Sequence, residues 1–408
     1  MWLNIDNVVN HDVRPNYFPR GRYMSAMTSR RRVIRTAVIV GLAASLALAA
    51  CGSSKKAATP AVTNAAGSTA AAGSTTTAAG GTSGGKVGVS LILKNTSNAF
   101  FVSMQNSAQA AASAMGVTLT VAAGKQDGDT ATQIAAVEAA VARGDKGILI
   151  TPSGDAVVPS LDAARQAGLL VIALDTPPNP ATAVDITFAT DNYNAGQLIG
   201  KWTAGQLAGK KATIAMLDLF NDQVVSVDTG RDQGFLNGMG IIAKLDPTGN
   251  GKEPATGKYS GGDYAIACHE PTKGAVDGGK TAMETCLAKN PDINVVYTIN
   301  EPAAQGAEDA LTAATKDKGV LIVSVDGGCK PGLVLVASGV IGATAQQYPG
   351  KMATLGMQAI KDLADGKPKP AVTPGLTFYN TGVALVTDKP VAGVDSISVA
   401  DGQKICWG

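Results

Sequence analysis

Residues 86–101, KVGVSLILKNTSNAFF, contain the pattern that decides the fold. Residues 87–93 form a continuous apolar run, which predicts a strand buried on both faces. Asn98 follows as a candidate N-cap. The apolar residues after it recur at helical spacing, at Phe100, Met104, Ala108, Ala111 and Met115. This segment therefore predicts a strand, a turn and a helix, which together are the building unit of a parallel sheet.

The same alternation continues through two consecutive halves of the chain. The first half contains further expected strands at 117–122, 147–151 and 169–175, and helices at 132–143 and 155–167. The second half contains expected strands at 212–217, 265–268, 295–299 and 320–326, and helices at 196–207, 230–242, 280–289 and 302–314. Apolar strands joined by helices of this length predict an α/β fold with two doubly wound halves, each with a parallel sheet covered on both faces.

The composition fits a folded body with two lobes. A chain of 408 residues has room for two lobes of roughly 130–160 residues each, with segments left over. The apolar content of 45% is enough for a full core, and the aromatic content of 4% means that aliphatic residues must build it. The net charge of +2, with no strongly basic stretch in the body, argues against binding to nucleic acid.

The N-terminal region predicts an exported, lipid-anchored protein. Arginines at 30, 31, 32 and 35 precede an uncharged run at 36–50, which ends in Leu-Ala-Ala-Cys at 48–51. A basic patch, a short apolar segment and a small-residue cleavage site form a secretory signal, and this run is too short to span a bilayer comfortably. The end of the run resembles the bacterial lipobox, in which the cysteine is acylated and becomes the first mature residue. We therefore expect residues 1–50 to be an N-terminal extension with a lipoprotein signal peptide, and Cys51 to be lipidated.

Several alternatives stay open in this region. Cys51 could be incidental to a plain signal peptide. Ser-Arg-Arg at 29–31 also permits export by the twin-arginine route, and translation could start at Met27, because residues 1–26 resemble no export signal. Residues 51–85 are rich in Ala, Gly, Ser and Thr, so we expect a disordered tether between Cys51 and the body.

The other cysteines predict disulfides. Cys268, Cys286, Cys329 and Cys406 are an even set in an exported protein, and they allow three pairings. We favour Cys268–Cys286, which closes a short loop worth about 3 kcal/mol in the chain-entropy model, and Cys329–Cys406, which would hold the C-terminal tail. We expect no metal site, because the chain lacks C-x-x-C and His269 is the one histidine of the body.

Polar and aromatic residues cluster at the expected carboxyl ends of strands, where doubly wound sheets bind ligands. The candidate ligand-binding residues are Asn98, Phe100, Phe101, Asp175, Thr176, Arg231, Asn300, Glu301, Asp326 and Gln347. Carboxylate, amide and guanidinium groups match the vicinal hydroxyls of a sugar, and an aromatic face covers its apolar side. No Ser/His/Asp set accompanies them, so we expect a binding protein without catalytic residues or cofactor, rather than an enzyme.

Each candidate also has an ordinary structural interpretation. Phe100 could belong to the core, the strand-end aspartates Asp175 and Asp326 could cap helices, and Arg231 could form a surface ion pair. Glu301 could be a first-turn residue of its helix. Asp-Gly-Asp at 127–129 lacks the later ligands of a calcium loop, so a helix cap is the better interpretation.

Two motif matches suggest enzymes. Residues 274–281 match G-x-x-x-x-G-K-T, the phosphate loop of nucleotide hydrolases. This loop begins several residues after its strand, beyond Pro271, and an exported protein meets no ATP pool. Residues 81–85 match a nucleophile elbow, but they lie in the expected tether. The hydrolase is therefore kept only as a distant alternative.

A set of short motifs in a fixed order makes the body similar to a known family. They are Ser-Asn-Ala-Phe-Phe at 97–101, Leu-Asp-Thr-Pro at 174–177, Ala-Thr-Asp-Asn at 189–192, Tyr-Thr-Ile-Asn-Glu-Pro at 297–302 and Val-Ser-Val-Asp-Gly-Gly-Cys at 323–329. From about Lys86 to Gly408 the chain resembles the type I periplasmic sugar-binding proteins of bacterial ABC importers. Gln-Gln-Tyr-Pro at 346–349 and Cys-Trp-Gly at 406–408 make the resemblance closest to the fructose-binding branch.

The resemblance implies a periplasmic-binding-protein type I fold, with two lobes joined by three hinge crossovers in a Venus-flytrap arrangement. The first lobe would comprise 86–190 plus 348–378, and the second 191–347 plus 379–408. The partners implied are a monosaccharide and ABC permease subunits. We expect a monomer, lipid-anchored on the outer face of the cytoplasmic membrane. A receptor component that signals to a membrane sensor is the alternative.

Two departures from the family narrow the expected sugar. The ribose-binding relatives carry arginine where this chain has Thr176, and phenylalanine near where Lys273 or Gly274 falls. The resemblance therefore implies a pocket that differs from a ribose pocket, and we expect fructose or a related hexose.

Overall fold

The computed structural model describes residues 87–408. The expected signal peptide, the lipidated Cys51 and the tether lie outside the described residues. Between 87 and 408, no helix combines the length and apolar character that a membrane span requires.

Strands and helices alternate along most of this body. The strands are β1 (Gly88–Leu93), β2 (Thr118–Ala123), β3 (Gly147–Ile150), β4 (Leu170–Leu174), β5 (Ile186–Ala189), β6 (Ala212–Asp218), β7 (Thr256–Lys258), β8 (Asp263–Pro271), β9 (Val295–Thr298), β10 (Leu321–Asp326), β11 (Ile341–Gln346), β12 (Tyr379–Asn380) and β13 (Ala384–Val386). The α-helices are α1 (Ala99–Met115), α2 (Thr130–Arg143), α3 (Val158–Gln166), α4 (Asn192–Leu207), α5 (Ser226–Met239), α6 (Val276–Lys289), α7 (Glu301–Ala313), α8 (Val334–Ala337), α9 (Pro349–Ala364) and α10 (Val399–Gly402).

The strands form two sheets, and each sheet is the centre of one lobe. The sheet of the first lobe has the order β12-β5-β4-β3-β1-β2, with all neighbours parallel. The sheet of the second lobe has the order β13-β11-β10-β9-β6-β8-β7, and only its two edge strands, β7 and β13, are antiparallel to their neighbours. The expected α/β fold with two doubly wound lobes is confirmed.

Helices cover both faces of each sheet, as the apolar strands require. In the first lobe, α1 and α9 pack on one face and α2 and α3 on the other. In the second lobe, α4 and α5 cover one face and α6 and α7 the other. The strands between these layers are almost wholly buried; every residue of β6, for example, is buried. Residues at the carboxyl ends of strands from both sheets line the space between the lobes.

The chain passes between the lobes three times, after β5, after β11 and after β12. Strand β12 pairs with β5, so the sheet of the first lobe includes Tyr379 and Asn380 before the third crossing. Away from these crossings the lobes also touch directly: the Ser226 hydroxyl on α5 donates a 2.7 Å hydrogen bond to the Pro177 carbonyl of the first lobe.

Both favoured disulfides are present in the structure. Cys268–Cys286 joins β8 to α6, and Cys329–Cys406 ties the C-terminal tail to the turn after β10. The tail then continues toward the first lobe. The Trp407 indole N–H donates to the Gln347 carbonyl at 2.7 Å, and its ring packs edge-to-face on Phe100 of α1 with 5.3 Å between ring centroids. The second disulfide therefore holds a contact between the lobes beside the hinge.

Helices α4 and α5 approach so closely that glycine is required at their contact. A Cβ atom added at Gly234 would lie 2.2 Å from the Tyr193 carbonyl oxygen, and one at Gly200 would lie 2.2 Å from the Phe235 carbonyl oxygen. Real Cβ atoms essentially never come this near to backbone. The small residues thus set the spacing of the two helices and, with it, the position of Arg231 on α5.

We expect Gly234→Ala to destabilise the protein by about 1–3 kcal/mol, because the new methyl group can be accommodated only by separating two helix backbones. Urea denaturation would measure the change in the free energy of unfolding. Gly350→Ala on α9 is the matched control, since its Cβ would meet only the Ser107 hydroxyl, at the tip of a movable side chain. The interpretation fails if both variants unfold like the unmodified protein.

Candidate functional site

One cavity lies between the lobes, at the carboxyl ends of strands from both sheets. It occurs where the strand order reverses, between β1 and β3 in the first lobe and between β6 and β9 in the second, which is where doubly wound sheets bind ligands. It is lined by Lys94, Asn98, Phe100, Phe101, Asp127, Asp175, Leu219, Val227, Arg231, Ile299, Asn300, Asp326 and Gln347.

The structure brings eight of the ten candidate residues together around this cavity and places Thr176 and Glu301 behind it. The buried Glu301 carboxylate accepts hydrogen bonds from the Gly327 N–H at 2.7 Å and the Thr344 hydroxyl at 2.9 Å. It therefore braces the turn that follows Asp326. The Thr176 hydroxyl donates to Asp175 at 2.7 Å and orients that carboxylate instead of lining the cavity.

The first lobe contributes a buried ion pair and two aromatic rings. The Lys94 ammonium lies 3.6 Å from the Asp175 carboxylate, and both side chains are almost fully buried. Phe100 and Phe101 pack edge-to-face with 5.3 Å between centroids, and the ammonium lies 5.9 Å from the centre of the Phe101 ring. Asn98 caps α1 by accepting from the Phe100 N–H at 2.9 Å. In this half of the cavity, the charge of Asp175 is therefore compensated by Lys94, two aromatic rings form an apolar wall, and a hydrogen bond holds the Asn98 amide in place.

The second lobe contributes a matching arrangement around Arg231 and Asp326. The guanidinium donates to the Asn192 side chain at 2.7 Å and to the Ile299 carbonyl at 2.9 Å, and lies 3.7 Å from the Asp326 carboxylate. The Gln347 amide donates to that carboxylate at 2.7 Å. The amide oxygen of Gln347 is buried and has no partner among the described residues, so it can accept a hydrogen bond from a ligand.

The two strand-end aspartates share an unusual backbone conformation. Asp175 has φ 66° and Asp326 has φ 135°, both in the region that L-residues seldom occupy. Such strain persists only where surrounding structure holds it, and it concentrates at functional sites. Asp175 directly follows β4 and Asp326 ends β10, which occupy equivalent positions in their sheets, so both lobes present an aspartate to the cavity from a strand end.

Burial controls the ionisation of the acids in the second lobe. Burial raises the pKa of Asp326 to about 7, although Arg231 and the hydrogen bond from Gln347 act to lower it. Burial, with the charge of Asp326 in addition, raises the pKa of Glu301 to about 8. These acids are therefore partly protonated near neutral pH in the ligand-free protein.

Two polar residues of the cavity were missed by the sequence analysis. Lys94 directly follows β1, and Asp127 follows β2 by four residues and accepts from the Asn95 amide at 2.6 Å. The strand-end rule that found Asp175 would have found both. The expected helix cap at 127–129 is provided by Asp129, whose carboxylate accepts from the Thr132 N–H at 3.1 Å.

The phosphate-loop match has a packing explanation. Gly278 and Gly279 lie inside α6 and not in a loop. A Cβ at Gly278 would lie 1.8 Å from the Thr272 carbonyl oxygen, and one at Gly279 would lie 2.2 Å from the Ala303 carbonyl oxygen on α7. The glycines of the motif therefore permit close helix packing, and the segment does not form a phosphate-binding loop.

Two acids of the cavity, Asp175 and Asp326, each lie beside a cation of their own lobe, and the third, Asp127, accepts a hydrogen bond from Asn95. No serine, cysteine or histidine lines the cavity within the described chain. Residues 89–368 match the family described as periplasmic binding protein domain. The chain belongs to the periplasmic binding protein family.

The chain is also similar to several sugar-binding proteins of bacteria. The chain is 28% identical to the ribose import binding protein RbsB of Salmonella typhimurium over 282 residues, which cover 68% of this chain and 85% of that protein. It is 26% identical to the D-ribose/D-allose-binding protein of Pseudomonas aeruginosa over 298 residues, 70% of this chain and 84% of the relative. A periplasmic component of an ABC-type sugar transport system from Hahella chejuensis has a TM-score of 0.62 and 27% identity, and the match covers 73% of this chain and 99% of the other.

We expect the free energy of unfolding of the ligand-free protein to decrease as pH rises from about 4 to about 8. Asp326 and Glu301 have raised pKa values, so the folded state binds more protons than the unfolded chain over this interval. Their contribution to stability is complete below the unfolded pKa values and is lost as pH passes through the folded ones. Urea midpoints measured across this interval would show the decrease.

Asp326→Asn provides the control for this effect, because it removes one titrating group without changing the shape of the side chain. The slope of stability against pH should become shallower in this variant. A midpoint that stays constant or increases with pH in the unmodified protein would contradict the pKa assignments.

Proposed function

We propose that the protein captures a monosaccharide in the cavity between its lobes and delivers it to an ABC permease in the membrane. The main support for this proposal is that the two lobes contribute similar groups to the cavity. Each lobe presents a strand-end aspartate together with a cation and an amide. Carboxylates accept hydrogen bonds from sugar hydroxyls, and amides both accept and donate them. A neutral sugar also leaves the two ion pairs intact.

Binding would favour the closed arrangement of the lobes. A ligand in the cavity contacts Asp175 of the first lobe and Asp326 of the second, so both sets of contacts exist only when the lobes are together. The Ser226–Pro177 hydrogen bond also joins the two lobes in this arrangement. A permease could therefore distinguish loaded from empty protein by the relative position of the two lobes.

The aromatic wall favours a pyranose or furanose ring over a linear polyol. Phe100 and Phe101 lie on the side of the cavity formed by the first lobe, and Leu219 and Val227 lie on the second. Apolar surfaces on both sides match the C–H faces of a sugar ring. The carbon skeleton would lie between them while its hydroxyls meet the polar groups.

We infer that the sugar is fructose or a related hexose. Thr176 stands where the ribose-binding relatives carry arginine, and its short side chain is used to orient Asp175. The cavity thus lacks one long donor beside this carboxylate. The resemblance to the fructose-binding branch supports the same choice.

The N-terminal pattern supports export and a lipid anchor at Cys51, with the body held outside the cytoplasmic membrane by the tether. One chain supplies both walls of the cavity, so a monomer is sufficient for binding. Permease subunits would then be the principal protein partners.

Titration calorimetry of the purified full-length protein with a panel of monosaccharides tests the proposal. We expect one sugar per chain, with fructose or another hexose bound more tightly than ribose. Asp326→Asn should weaken binding about 10- to 100-fold, because it replaces a buried acceptor oxygen with an amide N–H2 group that can only donate.

Asp292→Asn is the matched control, since Asp292 is exposed and remote from the cavity. It should leave both affinity and stability unchanged. The proposal is wrong if no sugar binds while ATP does, and the assignment of Asp326 is wrong if its variant binds sugar with full affinity.

The lipid anchor is tested separately in cells grown with labelled palmitate. The label should enter the unmodified protein and be absent from Cys51→Ala, because acylation requires this thiol. Label that persists in the variant would rule out Cys51 as the site of lipidation.

A further inference from the structure

A second group of ionisable residues lies in the second lobe, outside the set that lines the sugar cavity. Asp218 ends β6, Asp232 lies on α5, His269 lies on β8, and Glu253 precedes β7. The His269 Nδ1 atom is 2.8 Å from an Asp218 carboxylate oxygen and 3.9 Å from Asp232, while its Nε2 atom is 2.6 Å from Glu253. These four side chains converge although they come from distant parts of the sequence.

The group contains buried oxygens that receive no hydrogen bond from an N–H group or a hydroxyl of the described chain. Asp232 is 0% exposed and lies beside another carboxyl group, that of Asp218, with which it can hydrogen-bond only if one of the two is protonated. One oxygen of Asp218 also lacks a partner, as does the hydroxyl of the fully buried Tyr297. A buried carboxylate without donors is strongly unfavourable, and such exceptions in folded proteins are explained by an ion or by protonation.

We propose that Asp218, Asp232 and His269 bind a divalent cation, with zinc as the best-fitting metal. One carboxylate oxygen of each aspartate and a ring nitrogen of His269 all lie within 4.8 Å of one another. A single ion among them would be coordinated by one oxygen of each aspartate and would neutralise two buried acids. This site was not expected from the sequence, because its ligands are separated by 14 or more positions and form no compact motif.

The ligand types select zinc over magnesium and calcium. Magnesium and calcium prefer sites made entirely of oxygen, whereas zinc accepts imidazole and carboxylate together. Glu253 provides a further indication. Where a histidine binds zinc through one ring nitrogen, a carboxylate commonly holds the other and fixes the ring, and Glu253 is placed to do this for His269.

The surrounding structure holds these ligands in place. Gln233 on α5 donates from its amide to the Asp246 and Gly249 carbonyls, and so fixes the segment between α5 and β7 that carries Glu253. The Asp218 carbonyl accepts from the Thr272 N–H at 2.8 Å, which joins the ends of β6 and β8. Because Asp232 directly follows Arg231, a bound ion would also stabilise the helix that carries a wall residue of the sugar cavity.

Protons are the competing way to neutralise the group. Burial, and then the neighbouring Asp218, raise the pKa of Asp232 well above its ordinary range. Burial acts to lower the pKa of His269, but its hydrogen bonds with Asp218 and Glu253 overcome this and raise it to about 10. A metal that binds here must displace these protons. A metal titration therefore shows binding if the metal competes successfully, and shows none if the protons neutralise the group.

The test is a zinc titration of the full-length protein after removal of metal with a chelator. We expect one zinc ion per chain by calorimetry and elemental analysis, and a rise of about 5 °C or more in the unfolding midpoint at saturating zinc. Asp232→Asn should lose this binding while keeping or raising its midpoint without metal, because the variant no longer buries a carboxylate. Glu253→Gln should weaken binding by about 10- to 100-fold.

Asp222→Asn is the matched control, as an exposed acid of the same lobe that should leave zinc binding unchanged. Retained stoichiometric binding in Asp232→Asn would show an ion elsewhere on the chain and overturn the proposal. A midpoint insensitive to zinc in the unmodified protein would also overturn it, in favour of protons. Tighter binding of magnesium or calcium would overturn the choice of zinc. Sugar binding is not used in any of these measurements.

Discussion

Each lobe pairs its own buried strand-end aspartate with a cation, and the rest of the cavity depends on this arrangement. Asp175 is paired with Lys94 inside the first lobe, and Asp326 with Arg231 inside the second. A buried carboxylate that lost its partner would be strongly destabilising. Because neither pair is shared between the lobes, opening and closing leave both charges compensated. The lobes can therefore separate without exposing the body to that energetic penalty.

Most of the fold could be predicted from the sequence, because continuous apolar strands and helical periodicity are local signals. The limits are equally physical. Helix α5 begins at Ser226, four residues before the expected start, since it is buried on nearly all sides and has no polar face to mark its extent. Strand β8 continues beyond the expected end at 268 and includes His269 and Glu270, whose polar side chains do not fit the pattern of an apolar strand. The short strands β5 and β12 are defined by their neighbours in the sheet and carry too few residues for a pattern.

Part of the site could be predicted from the rule that doubly wound sheets bind ligands at the carboxyl ends of their strands. This rule found Asp175 and Asp326, and it would have found Lys94 as well. Glu301 shows what sequence cannot supply, because a carboxylate at the right position in the chain turned away to accept hydrogen bonds from a neighbouring turn. The direction in which a side chain points depends on hydrogen-bond donors that only the tertiary structure brings near it. The same reason hid the grouping of Asp232 with His269.

The contact between α4 and α5 has a consequence for how this sequence can change over evolutionary time. At Gly196, Gly200, Gly234 and Gly238, the atom that would collide with an added side chain belongs to the backbone of the facing helix. A side-chain clash can be relieved by a second substitution nearby, but a backbone clash has no such compensating partner. These positions should drift far more slowly than the cavity residues, where sugar specificity can change by exchange of side chains. The helix pair is in this sense a fixed frame on which new ligand preferences can evolve.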